Sequence, residues 1–280
     1  MKKICTIYLQ RNCPDETNRF GDHFLKWNGD ISDFYVIESG SDHDKLSKFK
    51  DNTFHANWPD ALENGLRFPR GLNYGLIELA KIRSDYEYII ISNGDTQLFD
   101  EPTVQILLEE MEKYPKMALL SPVSPGWGND IWSTFRGRDT VAHRLFPYEF
   151  WMIRSTFIQE ISQKNRNEED PDIFNYFFDG NNFRGYDADT EIILKAYQND
   201  WFAGITNRVK QMENEDLNEI NFLAMKTESN TTARTKMFNE GMIWLKEKYG
   251  FKNKHEMRNL ILYHYTNFFN NNKAMRELMI

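Results

Sequence analysis

The stretch YIIISNGDTQLFD, residues 88 to 100, constrains the fold more than any other part of the chain. It opens with an apolar run rich in β-branched side chains, which stops at Ser92. Apolar residues on both faces are typical of a strand buried inside a parallel sheet, because a half-exposed strand would alternate. Asp95 follows the turn residues Asn93 and Gly94 directly, so the sequence places a carboxylate where a buried strand leaves the core.

Other apolar runs of this kind alternate with helical patterns along the chain. Strands are predicted at 4–9, 34–38, NTFHAN, MALLSP, EFWMIR and WFAGI, and helices at 42–50, 71–82, from Pro102, at DADTEIILKAYQND and from about 215 onward. Strands separated by helices of about ten residues predict an α/β fold with a mostly parallel central sheet covered by helices on both faces. In the helical C-terminal part, Thr232 is the predicted cap and Gly250 the predicted end of a long helix.

Composition excludes several classes of protein. A net charge of -8 argues against a nucleic-acid binder, which needs a basic face. No apolar run approaches the roughly 20 residues that cross a bilayer, so at most peripheral membrane association is expected. Cys5 and Cys13 are the only cysteines, which is too few for a disulfide framework and indicates a reducing cytoplasm.

Three polar clusters follow predicted strands, at the edge of the sheet where open parallel sheets bind ligands. They are Gln10-Arg11-Asn12 after the first strand, Glu38-Ser39-Gly40 after the second, and Asn93-Gly94-Asp95 after the strand described above. Turn chemistry alone could explain each cluster, since Asn, Gly, Asp and Ser favour turns for local reasons. Their convergence at one edge indicates a binding site.

The order of these segments resembles the nucleotide-diphospho-sugar glycosyltransferases of the GT-A fold, most like family 2. VIESGSD matches the second strand of that family, with Glu38 in the acidic place, and RGLNYGL resembles its Asn-containing helix, with Arg70 and Asn73. IIISNGDTQL takes the place of the strand that the metal-binding Asp-x-Asp motif closes, and NNFRGYDADTEI resembles the segment with the acceptor-side acidic pair. The resemblance covers roughly residues 3 to 205.

The resemblance implies a fold, a division of the chain and an activity. Residues 1–210 would form the GT-A catalytic domain, with a nucleotide-sugar half to about residue 100 and an acceptor half after it, and residues 211–280 a helical extension. The implied enzyme moves a sugar from a nucleotide-diphosphate donor, expected to be a UDP-sugar, to a saccharide or glycolipid acceptor. The expected setting is bacterial-type surface polysaccharide or glycoconjugate synthesis in the cytoplasm or at the inner face of the membrane.

The metal motif departs from the family pattern because it reads Asp95-Thr96-Gln97. An amide replaces the second carboxylate, yet Mn²⁺ and Mg²⁺ prefer oxygen ligands and a donor diphosphate supplies some of them. We therefore expect Asp95 to bind the metal, with Gln97 assisting and His264 completing the site, as a C-terminal histidine does in some members. A histidine in an apolar helix is also a common packing residue, which is the alternative for His264.

The acidic pair also departs from the family pattern, because Ala188 stands beside Asp189 in the aligned place. The resemblance makes Asp189 the general base of an inverting transfer. Asp187 is a second catalytic candidate, but helix capping explains it equally well. Helical rotation predicts that Asp187 and Glu191 share a face while Asp189 points elsewhere.

Acceptor contacts are predicted from aromatic and cationic residues in irregular stretches. They are Trp127 and Trp132 in a long segment without periodicity, and Arg184 and Tyr186 next to the acidic residues.

Two other readings remain open. One is a Rossmann-like methyltransferase that uses S-adenosylmethionine, although LQRNCPDETN lacks the glycine-rich loop that such a site needs. The other is a GT-A domain that binds nucleotide sugar or carbohydrate without catalysis. The sequence predicts no oligomeric state.

Overall fold

The computed structural model describes residues 2–124, 135–144, 149–165, 173–213 and 228–280. The strands of this part are β1 (Ile4–Gln10), β2 (Ser32–Glu38), β3 (Thr53–His55), β4 (Tyr88–Asn93), β5 (Thr96–Leu98), β6 (Met117–Val123), β7 (Thr140–Ala142), β8 (Phe150–Arg154) and β9 (Phe202–Glu213). The α-helices are α1 (Pro14–Asn28), α2 (Pro59–Asn64), α3 (Arg67–Ile82), α4 (Thr103–Lys113), α5 (Ser155–Asn165), α6 (Ala188–Gln198), α7 (Asn230–Tyr249) and α8 (Lys254–Asn271).

The strands form one sheet in the order β3-β2-β1-β4-β8-β6-β9-β5, and β7 pairs with β9. The half from β3 to β4 is parallel, as the sequence predicts. β8 is antiparallel to both β4 and β6, while β9 runs parallel to β6 and antiparallel to β5 and β7. The predicted α/β architecture is confirmed. The sheet differs from the prediction in its second half, from β8 to β5, where parallel and antiparallel strands are mixed.

Burial explains why the central strands read as continuous apolar runs. All seven residues of β1 and all seven of β6 are buried, because helices cover both faces of the sheet. Trp151 on β8 is the bulkiest of the fully buried side chains and packs edge-on against Phe178.

The C-terminal helices pack into the same hydrophobic core as the sheet. Trp244 and Leu245 of α7, and Tyr265 and Phe268 of α8, belong to this core. Tyr265 and Phe268 contact the ring of Tyr197 on α6, at centroid distances of 5.3 and 5.9 Å. The domain boundary at residue 210 stays a prediction, but helices α7 and α8 are integral to the packing.

Two local predictions are wrong. The segment 42–50 forms 3-10 turns at His43–Lys45 and Lys50–Asn52 instead of a helix. Helix α7 is capped by Ser229, whose hydroxyl accepts a hydrogen bond from the Thr232 amide, so Thr232 lies inside the first turn. Gly250 does end this helix, with a left-handed φ of 74°.

Among the residues the structure describes, no helix is long and apolar enough to cross a membrane.

Candidate functional site

The three polar clusters lie at one edge of the sheet because β2, β1 and β4 are neighbours. Gln10 pairs with Glu38, and Leu9 pairs with Asn93. The loops that continue from these strands therefore leave the sheet at the same level. The structure thus brings the predicted donor-side residues together.

The loop after β1 holds the neighbouring loops in place. Arg11 donates from Nε to the carbonyl of Gly40 at 3.3 Å and from Nη2 to those of Leu62 and Glu63, both at 2.9 Å. Burial lowers the pKa of the Arg11 guanidinium. Arg11 is therefore built into the wall of the site, which differs from the direct nucleotide contact that the sequence predicts.

Gln10 and Asn12 also make their hydrogen bonds within this wall. The side-chain oxygen Oε1 of Gln10 accepts a hydrogen bond from the backbone amide of Cys13 at 2.9 Å. Asn12, with a left-handed φ of 56°, donates to the Asp42 carboxylate at 3.3 Å and accepts from the Asp42 amide at 2.8 Å. These bonds join the loop after β1 to the loop after β2.

The end of β2 and the loop after it contain a buried acid, Glu38, and a glycine, Gly40, at which any side chain would be strained. Burial raises the pKa of Glu38, and the amide of Ser47 donates to its carboxylate at 2.8 Å. The Ser39 hydroxyl accepts from the Leu66 amide at 2.8 Å. Gly40 has a φ of +77°, and a Cβ there would lie 1.7 Å from the carbonyl oxygen of Ala61. The backbone of this loop is therefore fixed closely against α2.

Arg70 and Asn73 fasten α3 to the segment that leads into α6. The Asn73 amide donates to the carbonyls of Ile173 and Phe178 and accepts from the Phe178 amide, all at 2.9 Å. Arg70 donates to the Gly180 carbonyl at 2.7 Å. Both residues were predicted to contact the donor; the structure instead gives them internal partners, because α3 faces this segment.

The turn after β4 carries Asp95 into a buried position beside β1. Burial and, next, the charge of Asp95 raise the pKa of Tyr8, which places the carboxylate near that strand. Ser92 and Thr96 close the turn through a hydroxyl hydrogen bond of 3.0 Å. Gln97 is exposed, between the buried residues Thr96 and Leu98.

The described residues provide too few ligand atoms to hold a metal ion by themselves. Across the described ranges, no group of three His, Cys, Asp or Glu side chains is arranged to hold an ion. His264 lies on α8, which packs against α6, and its ring stacks edge-on against Tyr263. Asp95 therefore fits as a single protein carboxylate for an ion whose other ligands are diphosphate oxygens and water. The expected contribution of His264 has no support in this arrangement.

Helix α6 begins with the acidic residues, and the structure separates their roles. The pKa of Asp189 is raised to about 7, chiefly by burial and also by the neighbouring charge of Asp187, while the hydrogen bond of 2.8 Å from the Thr190 amide opposes the shift. A carboxyl group with a pKa near neutrality is suited to proton transfer. The residue Asp189 as a whole is half-buried.

Asp187 occupies the predicted N-cap position of α6, but its side chain makes no capping bond. Its φ of 53° is left-handed, so the helical-rotation argument applies only from Ala188 onward. Burial raises the pKa of Asp187, and Lys254 and Arg258 of α8 oppose this shift. One carboxylate oxygen, Oδ2, is buried without a hydrogen bond from the described residues. The side chain of Asp187 therefore does not cap helix α6. It provides a second carboxyl group close to that of Asp189.

Glu191 points into the interior and belongs to a buried cluster of charges that the sequence did not predict. Its carboxylate accepts from the Tyr249 hydroxyl at 2.6 Å and pairs with Lys248 at 2.7 Å and Lys195 at 3.5 Å. Burial alone would raise the pKa of Glu191, but the two lysine charges hold it below its usual range. Lys248 also pairs with Asp179 at 2.5 Å, so α7 is tied to α6 and to the segment before it.

Arg184 and Tyr186, the predicted acceptor contacts, lie between α3 and α7. Both terminal nitrogens of Arg184 donate to the carboxylate of Glu228, and the ring of Tyr186 meets that of Phe238 at 5.5 Å. The hydrogen bonds from Arg184 lead the interactions that lower the pKa of Glu228 to about 2. Trp127 and Trp132 lie outside the described residues.

This architecture corresponds to a known fold. The fold is that of the GT-A glycosyltransferases: a curled α/β sheet, flanked by helices, with its loops gathered at the carboxyl ends of the parallel strands. No family model and no curated protein matches the chain.

Two solved structures are similar to this chain in fold. The first is the mannosyltransferase PcManGT from Pyrobaculum calidifontis in complex with GDP-Man and Mn²⁺, with 11% identity and a TM-score of 0.54 over 95% of this chain and 87% of that one. The second is GalNAc-T7 with UDP, GalNAc and Mn²⁺, with 8% identity and a TM-score of 0.59 over 96% of this chain. The match spans 56% of the GalNAc-T7 chain. These likenesses confirm the GT-A fold.

Proposed function

We propose that this protein is a glycosyltransferase that moves a sugar from a nucleotide-diphosphate donor to a saccharide or glycolipid acceptor, assisted by Mn²⁺ or Mg²⁺. One observation carries the proposal. The buried residue Asp95 follows β4 at the same edge of the sheet as the loops after β1 and β2. Two proteins of the same fold support it, since the mannosyltransferase is in complex with GDP-Man and Mn²⁺ and GalNAc-T7 is in complex with UDP, GalNAc and Mn²⁺.

On the donor side, the loops after β1 and β2 form the pocket for the nucleoside, for which we propose uridine. We expect Glu38 and the backbone of Ser39 and Gly40 to contact the nucleoside. Arg11 and Asn12 keep the surrounding loops in place through their hydrogen bonds. Asp95 holds the divalent ion, which when bound neutralises charge on the departing nucleoside diphosphate.

On the acceptor side, Asp189 is the proposed general base. Its carboxylate accepts the proton of an acceptor hydroxyl as that oxygen bonds to the anomeric carbon and the bond from this carbon to the diphosphate oxygen breaks. A single displacement of this kind inverts the anomeric centre. Asp187 assists by raising the pKa of Asp189 toward the pH at which the reaction runs.

The proposed setting is the synthesis of surface polysaccharide or glycoconjugate, in the cytoplasm or at the inner face of the membrane. It rests on the resemblance to family 2. The two cysteines are buried free thiols, which agrees with a reducing compartment.

A calorimetric titration with and without Mn²⁺ tests the proposal. UDP should bind more tightly than GDP, CMP or S-adenosylmethionine, and Mn²⁺ should strengthen that binding. Asp95→Ala should lose the Mn²⁺ effect and the transfer of sugar, whereas Gln97→Ala, which removes only the assisting amide of an exposed residue, should weaken the Mn²⁺ effect and keep the transfer. Nucleotide binding without transfer or hydrolysis of any UDP-sugar would identify a binding domain, and no nucleotide binding would refute the proposal.

A further inference from the structure

Helix α8 carries apolar side chains on two sides. On its inner side, Met257, Ile261 and Tyr265 are buried in the hydrophobic core. On its outer side, Leu262 is 42% exposed and Tyr263 is 62% exposed, which is the highest exposed fraction among the large hydrophobic residues that the structure describes. A helix that only covered a core would place polar residues outward, so this outer side is suited to a second apolar environment.

Helix geometry places Leu262 and Tyr263 on one continuous surface, because residues one turn apart form columns along a helix. The outer face of α8 is defined here by two neighbouring columns, Arg258, Leu262 and Thr266 in one and His255, Asn259 and Tyr263 in the other. None of these side chains is acidic, and the guanidinium group of Arg258 is always charged. The outer face of α8 therefore combines exposed apolar side chains with positive charge.

Residues 252–273, which contain α8, are basic within an acidic protein. They include one acid, Glu256, and four basic side chains, Lys252, Lys254, Arg258 and Lys273. Four positive charges and one negative charge give +3, which leaves -11 for the rest of a chain whose net charge is -8. Glu256 is held at the start of the helix, where its carboxylate accepts from the backbone amide of Lys252 at 2.9 Å. A positive surface with exposed apolar side chains complements anionic lipid headgroups above an acyl layer.

A second copy of this chain fits the outer face of α8 less well. In a symmetric dimer the same surface meets itself, so the cations of residues 252–273 would face their own copies. Like charges brought together in this way oppose association. An anionic lipid surface instead offers negative charge to Arg258 and an apolar layer to Leu262 and Tyr263 at the same time.

The first turns of α8 lie beside the acceptor side of the proposed active site. Burial raises the pKa of Asp187, and the charges of Lys254 and Arg258 oppose this rise. Burial also raises the pKa of Tyr186, and the charge of Arg258 again opposes it. These influences place Arg258 close to the start of α6, where Asp189 lies. A surface that contacts the outer face of α8 would therefore adjoin the acidic start of α6.

We propose that the outer face of α8 docks the protein on an anionic lipid surface, with the acceptor side of the active site at that surface. Leu262 and Tyr263 enter the layer between headgroups and acyl chains, where a ring with a polar tip is favoured, and Arg258 contacts lipid phosphates. The position of the acceptor side rests on the proposed function. It selects the glycolipid from the two acceptor classes named there, because a lipid-linked acceptor is presented at such a surface.

Co-sedimentation with vesicles tests the docking. The vesicles contain either phosphatidylcholine alone or equal parts of phosphatidylcholine and phosphatidylglycerol, called the mixed vesicles below. The wild type should bind the mixed vesicles about tenfold or more tightly than phosphatidylcholine, and added salt should weaken this binding. Leu262→Asn/Tyr263→Asn should bind the mixed vesicles about tenfold more weakly than the wild type, since two apolar side chains no longer enter the lipid.

The matched control is Leu25→Asn/Ile82→Asn, which removes apolar side chains of similar exposure, 40% and 56%, from α1 and α3. It should bind the mixed vesicles like the wild type. All four substitutions are at exposed positions, so circular dichroism should show both variants folded.

Three results would overturn the docking proposal. The first is equal binding of the wild type to both kinds of vesicle, or binding to neither. The second is equal affinity of the Leu262→Asn/Tyr263→Asn protein and its control for the mixed vesicles. The third is a wild-type dimer that does not bind vesicles and that Leu262→Asn/Tyr263→Asn converts to a monomer in equilibrium sedimentation, because the outer face of α8 would then be an interface between copies.

Hydrogen exchange of the wild type, with and without the mixed vesicles, locates the docked surface. Backbone amides of residues 254–266 and 182–190 should exchange more slowly on the vesicles, while those of α1 and α3 should be unchanged. Slower exchange in α1 or α3 instead of α8 would overturn the docking face. Slower exchange in α8 without any change at residues 182–190 would reject the glycolipid assignment.

These measurements need no nucleotide, so they are independent of the UDP titration. Vesicle binding through α8 by a protein that binds no nucleotide would refute the proposed function and, with it, the assignment of the acceptor. Binding of UDP by a protein that ignores the mixed vesicles would refute this inference and leave the proposed function intact.

Discussion

Replacing Lys248 with methionine tests the buried cluster that joins α7 to α6. The ammonium group lies 2.5 Å from Asp179 and 2.7 Å from Glu191, whose side chains are 8% and 0% exposed. In Lys248→Met, two buried carboxylates would share one remaining lysine, Lys195, which is 3.5 Å from Glu191. The variant should therefore contain an uncompensated buried charge at neutral pH.

The size of the effect follows from the burial. Removing one partner of a fully buried pair costs about 3–5 kcal/mol. The Lys248 side chain is 32% exposed, so solvent screening reduces the expected loss to about 2–3 kcal/mol. For a chain of 280 residues that loss corresponds to a fall in melting temperature of about 3–5 °C.

The pH dependence is the more specific signature. In the wild type, the pKa values of Asp179 and Glu191 are lowered, so their contribution to stability is present above about pH 4 and is lost below it. In Lys248→Met, at least one of these pKa values should rise above its unfolded value. That carboxyl group then destabilises the fold as the pH rises from about 4 to 7, so the difference from wild type should be largest near pH 7 and shrink on acidification.

Urea denaturation at several pH values measures this difference, with Lys246→Met as the control because Lys246 is exposed on the same helix. Lys248→Arg should lose much less stability, since the charge is kept. A Lys248→Met protein as stable as the Lys246→Met protein at pH 7, or a difference that grows on acidification, would refute the reasoning.

Three other changes test separate parts of the site. Asp189→Asn should reduce the transfer rate about 10²- to 10⁴-fold, and the wild-type rate should rise with pH through about 7, because the ionised base is the active form; a pH profile unchanged by the substitution would exclude Asp189 as the base. Gly40→Ala should be more destabilising than Gly250→Ala by about 2 kcal/mol or more in thermal unfolding, since both glycines have positive φ but only Gly40 meets a neighbouring carbonyl, and equal losses would contradict this. Asn73→Ala should lower stability by about 2–4 kcal/mol through three lost buried hydrogen bonds and leave the Kd for UDP unchanged, whereas a stable variant with weakened UDP binding would restore the donor contact predicted from the sequence.

The parts of the fold that depend on local chemistry could be predicted from the sequence. Buried strands such as β1 and β4 appear as apolar runs that stop at turn residues, and the parallel arrangement then brings their ends to one edge. Gly250 could be identified as a helix end because a left-handed residue there favours glycine. The position of β8 between β4 and β6 could not be predicted, since strand order depends on contacts that are distant in sequence.

The charged clusters could not be predicted for a different physical reason. Lys248 and Glu228 lie in polar stretches, and such residues normally mark a solvated face. Their ion pairs are made with partners about 60 and 160 residues away, Glu191 for Lys248 and Arg67 for Glu228. Asn73 and Arg70 were predicted from the sequence to contact the donor. A side chain that can bind a ligand can equally bind backbone carbonyls, and the structure shows that these two do so.

Strand β9 pairs with β5, β6 and β7, although it is the last strand in the part of the chain that the structure describes. During synthesis at about 5–20 residues per second, the ribosome delivers these three strands well before the partner that joins them. Until residue 213 has emerged, each of the three strands has an open edge facing other nascent chains. A fragment that stops at Asp200 should therefore aggregate during translation, while the parallel half made from the first 93 residues can already begin to assemble. Stalled-ribosome profiling of chains of increasing length would reveal when the mixed half of the sheet closes.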